Sequence, residues 1–564
     1  MSGKSEKSGH PLPLGVSIHN GHFNFAVAAS GDAPCYLLLY EKEEEGPVKE
    51  ILMPGRFGDV RTLKLETLPD NACYYNYKLG NEILVDPYVK ALYGRKEFGV
   101  PLPKQSHLVK GILNKDTHVE ATDNVFIETH IIEESIIYSI HVRGFTKDAS
   151  SKVKYPGTFA GVIEKLPYIK GLGVTALHLM PVYEFEECLQ YTNYWGYGDG
   201  WFFSPKESYG GDEGLKALVD ACHVANLEIF LEMPFGQDTP AYMMSDALRY
   251  YRLTYAIDGF FLNPERFSIE EAKKDPLLAG AKIMRHDGGF SYVMRRYLKG
   301  DEGMMNEVMF RLGENSCANG YPQEITSHSG FTLNDLVSYD GKHNEANGEN
   351  NTDGADYNFS WNCGVEGKTK KQEINKLRRQ QVRNAFALLL LSRGTPMILS
   401  GDEFYNSQDG NNNVYCQDNP TGWTNWKRGK AEKDLTAYVR DLIKLRKEIG
   451  VFTWSKRNYK PEGVNTGLPQ VSWHGDNLWV APTAISSRQI GVYYCGTYTG
   501  SKDCMVLYNL HWEAHDFALP KPREGKVWTL RLSTADGVYE TQSEIKDQRM
   551  ISVPARTIYL LSAK

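Results

Sequence analysis

No run of about 18 uncharged apolar residues occurs in the 564-residue chain, so nothing in it reads as a membrane-spanning helix. The opening MSGKSEKSGHPLPLG has no apolar core of the kind a secretory signal needs. A cytoplasmic location is expected. Positive charge is not in excess either: the net charge is -7, which removes the electrostatic footprint of a nucleic-acid or anionic-membrane partner. The nine cysteines are scattered singly, with an odd total and no CxxC pair, which argues against a disulfide framework or a structural zinc site. Free thiols in a reducing compartment are the simpler reading. There is no internal repeat of about 20 to 50 residues, and the only biased tract is the short acidic run from Glu41 to Glu45, a solvated turn.

What the chain has is length, apolar content and aromatics. At 564 residues with 41% hydrophobic and 24% charged residues, it can bury more than one core. Tyr (34) and Trp (10) are plentiful, and several lie in polar Gly/Asn-rich segments such as YTNYWGYGDGW. Such a setting is compatible with sugar binding, because the apolar faces of glucose rings stack on aromatic rings while polar neighbours take the hydroxyls.

Three textures follow one another along the chain. From Leu12 to about Val119, short alternating strands such as NFAVAAS and CYLLLYE are separated by Gly, Pro, Asn and Asp turns, the pattern of a small β-sandwich. From Ser135, strands alternate with helical patterns, the signature of βα units and a parallel sheet. IIYSIHV, VTALHLMPV, LEIFLEM, DGFFLN, AKIMR, QEITSHS and PMILSGDE read as strands. The helical stripe Phe159, Val162, Ile163, Leu166 is read as interrupted by Pro167. Seven or eight such units predict closure into a (β/α)8 TIM barrel, with a doubly wound open sheet as the alternative. Beyond about Val451 the helices stop and LWVAPTA, IGVYY, CMVLYNL, VWTLRL and TIYLLSA are strands again. The expected layout is an N-terminal β-sandwich over 1–125, a barrel over 126–455 and a C-terminal antiparallel β-sandwich over 456–564.

Particular segments carry a resemblance. IYSIHVRGFT, NYWGYGDGWFFSPKESYG, GFTLNDLVSYDGKHNEANGENNTDG, NFSWNCGVEG, TPMILSGDEF and NNNVYCQDN, in this order and preceded by PLGVSIHNGHFNFAVAAS, are similar to segments of the isoamylase and glycogen-debranching branch of the α-amylase superfamily, glycoside hydrolase family 13. The resemblance implies an immunoglobulin-like carbohydrate-binding N-terminal sandwich and retaining hydrolysis of α-1,6 branch points in glycogen, amylopectin or branched maltooligosaccharides, with no cofactor. That reaction needs an attacking carboxylate and a protonating one on either side of the bond.

The family positions for those groups are occupied differently here. GFFLN stands where the family reads roughly GFRFD, so Asn263 takes the nucleophile's place and Phe261 that of its supporting arginine. KIMRHDGG matches the general-acid motif, with Arg285 and His286 where Ala and Glu would stand. SHSGFTLNDLVSY keeps His328 and puts Ser329 where an Asp belongs. IFLEMPFGQDT carries Glu232, Gly236 and Gln237 at the polar positions of the earliest barrel motif. A carboxamide cannot form the glycosyl ester. Neighbouring carboxylates are poorly placed to substitute. Asp287 lies one residue past His286, which turns it to the other face of a strand, and Glu265 lies roughly 6.6 Å beyond Asn263.

His286, Asp287, Glu232 and His328 offer imidazole and carboxylate ligands, but with no close-spaced His pair on one element no metal is expected, and Arg285, His286 and Asp287 are read instead as a polar network filling a remodelled groove. Arg143, Asp258 and Glu403 are read as structural. Tyr194 and Trp195 are expected to stack on a glucose unit at the pocket mouth, with His328 bonding a sugar hydroxyl and Glu232 among the substrate-binding residues. The leading reading is a non-catalytic debranching-family protein that binds glucan and works beside an active isoamylase-type subunit, an arrangement the resemblance to plant isoamylases implies. The alternatives are a glycosidase or transglycosylase with a rearranged site, and an inactive barrel used only as a scaffold.

Overall fold

The computed structural model describes residues 7–19, 21–42, 46–101, 109–113, 130–314, 320–455, 459–523 and 525–564. The domain boundaries expected near 125 and 455 fall in or beside 114–129 and 456–458, and most of the acidic run falls in 43–45, all outside the described residues.

The N-terminal segment forms two antiparallel sheets. One runs through Gly15–His19, His22–Ala28, Val60–Leu65 and Gly55–Phe57, the other through Lys49–Leu52, Cys35–Tyr40, Tyr74–Leu79 and Glu82–Leu84. Alternate residues of each strand point inward, and Phe25, Val27 and Leu63 meet Leu37, Leu39, Tyr75 and Tyr77 in one core. The sandwich docks on the barrel through Tyr88, which stacks on Phe203 at 4.3 Å and donates to Asp246 at 2.9 Å. A second anchor is fully buried: Arg95 reaches the carboxylates of Glu184 and Glu187, which also hold Lys206 at 3.0 and 2.5 Å.

Six parallel strands follow: β1 (Ile137–Ile140), β2 (Ala176–Leu179), β3 (Glu228–Met233), β4 (Gly259–Leu262), β5 (Lys282–Met284) and β6 (Met397–Leu399), in spatial order β5-β4-β3-β2-β1-β6. Residues 320–326 close the ring. The Arg285 N–H donates to the Gly320 carbonyl at 2.9 Å on one side. On the other, the Gln323 N–H donates to Thr395 and the Met397 N–H to Gln323, each at 2.7 Å. Closure rules out the open sheet, but the ring has seven extended segments among the described residues where eight were expected. The reason lies between β5 and residue 320. Two helices, Gly288–Lys299 and Met305–Gly313, follow one another across a short turn at Gly300 (φ 98°), with no strand between them.

Strand alternation sorts the barrel residues into two cores. Ile137, Ala176, Phe230, Phe261, Met284 and Met397 fill the inside, while Leu177, Ile229, Phe260 and Ile283 pack outward beneath the helices. Two residues further along the same strands, the inward positions are Ser139, His178, Glu232, Asn263 and His286. A polar layer therefore lies on an apolar floor at the C-terminal ends of the strands.

Pro167 does not interrupt its helix, which runs Phe159–Leu172, capped by the Thr158 side chain and stopped by Gly173 in the left-handed region. Pro167 faces solvent, where the carbonyl it leaves without an N–H donor can be hydrated. The C-terminal segment is a six-stranded antiparallel sheet with an added two-stranded ribbon. One face builds its own core on Trp528, Leu507, Phe517 and Leu561. The other face, with Val492, Tyr508 and Leu560, joins the barrel core. Burial on both faces explains why Cys504–Asn509 has no polar alternation. Among the described residues, no helix is long and apolar enough to cross a membrane.

Candidate functional site

A cavity of about 630 Å³ opens at the C-terminal end of the barrel, where barrel folds place their chemistry. Asn263, His286 and Ser329, from three different strand ends, all line it, together with Glu232, His328, Glu324 and Tyr197. The floor is Phe261, 1% exposed, with its ring centroid 4.3 Å from that of His178 and 5.0 Å from that of His286. Arg285 does not fill the cavity. Being one step out of phase with His286, it points outward and stacks over Tyr321 at 3.9 Å.

Of the neighbouring carboxylates, phase disposes of Asp287 and distance of Glu265. Asp287 caps the helix Gly288–Lys299 through the Gly289 N–H and pairs with Arg311 at 3.4 Å. Glu265 is exposed and contributes its backbone N–H to the Asn263 side-chain oxygen at 2.9 Å. The three residues read as structural are held by their own partners. Arg143 makes a two-pronged pair with Asp418, both bonds at 2.8 Å. Asp258 accepts from the Ile229 N–H at 2.8 Å. Glu403 accepts from the Tyr138 and Tyr168 hydroxyls.

Glu232 is the centre of the polar layer. It is 6% exposed, and its Oε1 accepts from the Tyr197 hydroxyl, which also meets His328 Nε2 at 2.6 Å. Three imidazoles surround the carboxylate: His178 Nε2 at 3.5 Å, His286 Nε2 at 3.8 Å and His328 Nε2 at 4.0 Å. His286 also faces Glu324 through Nδ1, at 3.4 Å. Burial disfavours charge on all of these groups, yet they do not respond alike. His178 is pushed down to about 3 by burial and stays neutral. His328 is lowered for the same reason. For His286, the Glu324 and Glu232 carboxylates outweigh burial and raise it to about 9. Glu232 itself is held below its usual value, because the imidazoles and the Tyr197 hydroxyl outweigh its burial. The cavity base is thus an imidazolium between two carboxylates, with a neutral imidazole beneath. Arg295, on the wall, donates to the Ile325 carbonyl at 2.6 Å.

The structure brings together Asn263, His286, Ser329, His328 and Glu232 as the sequence reading expects, and separates Tyr194 and Trp195 from them. Tyr194 is 1% and Trp195 7% exposed. Tyr194 donates to the Gly422 carbonyl at 2.9 Å, and Trp195 packs edge-on behind His328 at 5.0 Å. They back the site without facing its cavity; Tyr197 is the aromatic of that loop that does. Three participants escaped the sequence reading, His178, Tyr197 and Glu324. The inward phase of Ala176, His178 and Met180 in VTALHLMPV is the signal that finds the first.

The family model described as the α-amylase catalytic domain matches residues 125–236. The glycogen operon protein GlgX homolog of Mycobacterium tuberculosis is 28% identical, with 85% of each chain covered. The chloroplastic isoamylase 1 of Arabidopsis thaliana is 27% identical over 86% of this chain and 81% of its own. Among solved structures, a pullulanase from Bacillus acidopullulyticus superposes with a TM-score of 0.74 at 18% identity, covering 98% of this chain and 75% of that one. The catalytic module of the glycogen-degrading pneumococcal virulence factor SpuA gives 0.75 at 15% identity, covering 99% and 98%.

Proposed function

Starting from the chain's place in the isoamylase and glycogen-debranching branch of the α-amylase superfamily, we propose that it is a cytoplasmic α-glucan-binding protein that does not hydrolyse its ligand and acts beside an active isoamylase-type subunit. One observation carries the reading: the three strand-end positions that match the family's catalytic carboxylates hold Asn263, His286 and Ser329, and all three line one open cavity. Retaining hydrolysis needs a carboxylate nucleophile and a carboxylic acid about 5 Å apart across the bond. An amide, a charged imidazole and a hydroxyl supply neither. They do supply donors and acceptors for sugar hydroxyls, as do Gln237 and Arg266 at the rim. The names of the relatives, a glycogen operon protein and isoamylases, support glycogen or amylopectin as the ligand class.

A second reading, a hydrolase with relocated carboxylates, is favoured by the placement of Glu232 and Glu324 on either side of His286. The test is to incubate the purified protein at high concentration with glycogen, amylopectin and pullulan, measuring reducing ends and co-sedimentation with glycogen. Sedimentation without release is expected. Release that Glu232→Gln or Glu324→Gln abolishes replaces this reading with the second, and neither sedimentation nor release leaves only a scaffold.

A further inference from the structure

We propose that His178, Glu232 and His286 form a binding site for a divalent first-row transition-metal ion, with zinc as the reference ion, at the base of the barrel cavity. Their ligand atoms, two imidazole nitrogens and a carboxylate oxygen, all lie within 4.8 Å of one another. His178 Nε2 lies 3.5 Å from Glu232 Oε2, and His286 Nε2 lies 3.8 Å from the other carboxylate oxygen, Oε1. Ligand atoms about 2.1 Å from a tetrahedral zinc ion are about 3.4 Å apart, so a set that lies within 4.8 Å closes by at most about 1.4 Å, a movement that side-chain rotation supplies. The three side chains come from the ends of β2, β3 and β5, all at the same inward phase. His178 and Glu232 are held within the sheet, and His286 follows two residues past the end of β5.

Each ligand also has an outer partner that aims it. Ser139 Oγ meets His178 Nδ1 at 2.9 Å, leaving Nε2 to face the centre. Glu324 Oε2 faces His286 Nδ1 at 3.4 Å, a charge contact on the side where a carboxylate orients a metal-bound histidine. The Tyr197 hydroxyl holds Glu232 Oε1. Against that order, His178 Nε2 and Glu232 Oε2 are buried and have no hydrogen-bond partner among the described residues. Buried polar atoms are nearly always satisfied, and here the two unsatisfied atoms lie 3.5 Å apart.

A purely protein network explains less. A charged His286 bridging Glu232 and Glu324 accounts for His286 but leaves His178 Nε2 orphaned, since 3.5 Å is too long for a good N–H···O bond. Two imidazoles in the set favour zinc, iron or a neighbouring transition metal over magnesium or calcium, which take oxygen ligands. The remaining coordination positions face the cavity and would take water or an oxygen of its occupant. His328, already bound to Tyr197, stays outside the ligand set. The inference stands whether or not the cavity takes a glucan, and its readout involves none.

The experiment strips the full-length protein with a chelator, then titrates Zn²⁺ by calorimetry and counts bound ions by elemental analysis. One ion per chain is expected, with a rise in melting temperature. His286→Gln, at a partly exposed position, should weaken binding by about 100-fold or more, and Ser139→Ala by about 10- to 100-fold. His343→Gln, remote and at the surface, should change nothing. Loading with Co²⁺ gives a second measurement on the unaltered protein, a visible spectrum of nitrogen and oxygen coordination that His178→Gln should abolish. No binding at micromolar zinc, or binding undiminished in both His178→Gln and His286→Gln, overturns the proposal.

Discussion

Phe261→Arg restores the residue that the family motif carries at the barrel floor, and the structure says it should fail alone. The phenyl ring is 1% exposed within an apolar layer, so a guanidinium there carries a desolvation cost of several kcal/mol. Its head would also stand where the ring now lies, 5.0 Å from the His286 ring. Two unit charges about 5 Å apart at an effective dielectric near 20 interact by about 3 kcal/mol, here repulsively, because the flanking carboxylates keep His286 charged up to about pH 9. His286→Glu alone removes the cation between Glu232 and Glu324 and adds a third carboxylate, at about 3–5 kcal/mol. Made together, the substitutions turn the repulsion into an attraction, a swing of about 6 kcal/mol at most. The double variant should therefore be less destabilised than the sum of the singles by at least about 2 kcal/mol. Urea unfolding followed by tryptophan fluorescence, with EDTA in excess, measures the cycle, and recovery of soluble yield in the double variant is a coarser readout of the same coupling. Additivity to within about 0.5 kcal/mol would refute the idea that floor and rim were rebuilt as one electrostatic unit.

Lys206→Met leaves Glu184 and Glu187, both buried, with Arg95 alone; a loss of about 3–5 kcal/mol in urea unfolding is expected, and less than about 1 kcal/mol would contradict the network's role. Burial pushes the Asp402 carboxyl up from 3.8 to about 7. The folded state thus keeps a proton that the unfolded chain releases, and stability falls as pH rises from about 4 to about 7, by on the order of 4 kcal/mol. Asp402→Asn should flatten that part of the melting-temperature profile and be the more stable protein at pH 8; a variant less stable there would show the sign to be wrong. Trp195→Ala should cost about 3–5 kcal/mol as a core truncation, whereas Arg266→Ala, exposed at the cavity rim, should weaken glycogen co-sedimentation and leave stability within about 0.5 kcal/mol. The reverse pattern would return the ligand contact to Trp195.

Phase along a strand was the most informative thing in the sequence. It set Asp287 on the face opposite His286, because a period of two needs no tertiary information; Arg285, read as part of the network filling the groove, obeys the same rule and turns outward onto Tyr321. Burial of loop aromatics does need it. Tyr194 is enclosed by His141 and by Gly422, 228 residues away along the chain, and nothing in YTNYWGY reveals that contact. His178 was hidden by its setting, a lone polar residue in an apolar run that reads as core. Glu324 lay in a short segment whose neighbours on both sides are set by barrel closure. The missing strand was equally hard to see, since helix followed by helix after β5 differs from helix, strand, helix only by what is not there.

The absence of an eighth strand among the described residues has a geometric consequence. One strand fewer removes about 4.8 Å of girth, which narrows the throat by about 1.5 Å. It also makes β5 and residues 320–326 immediate neighbours, so His286 reaches Glu324 directly. A sugar ring held between an attacking group and a proton donor needs those groups kept apart; a ligand cluster needs them drawn to a point. In this barrel His286 stands 3.4 Å from Glu324 and 3.8 Å from Glu232. Wedging a stave back between β5 and residue 320 would part His286 from Glu324 before any side chain was changed.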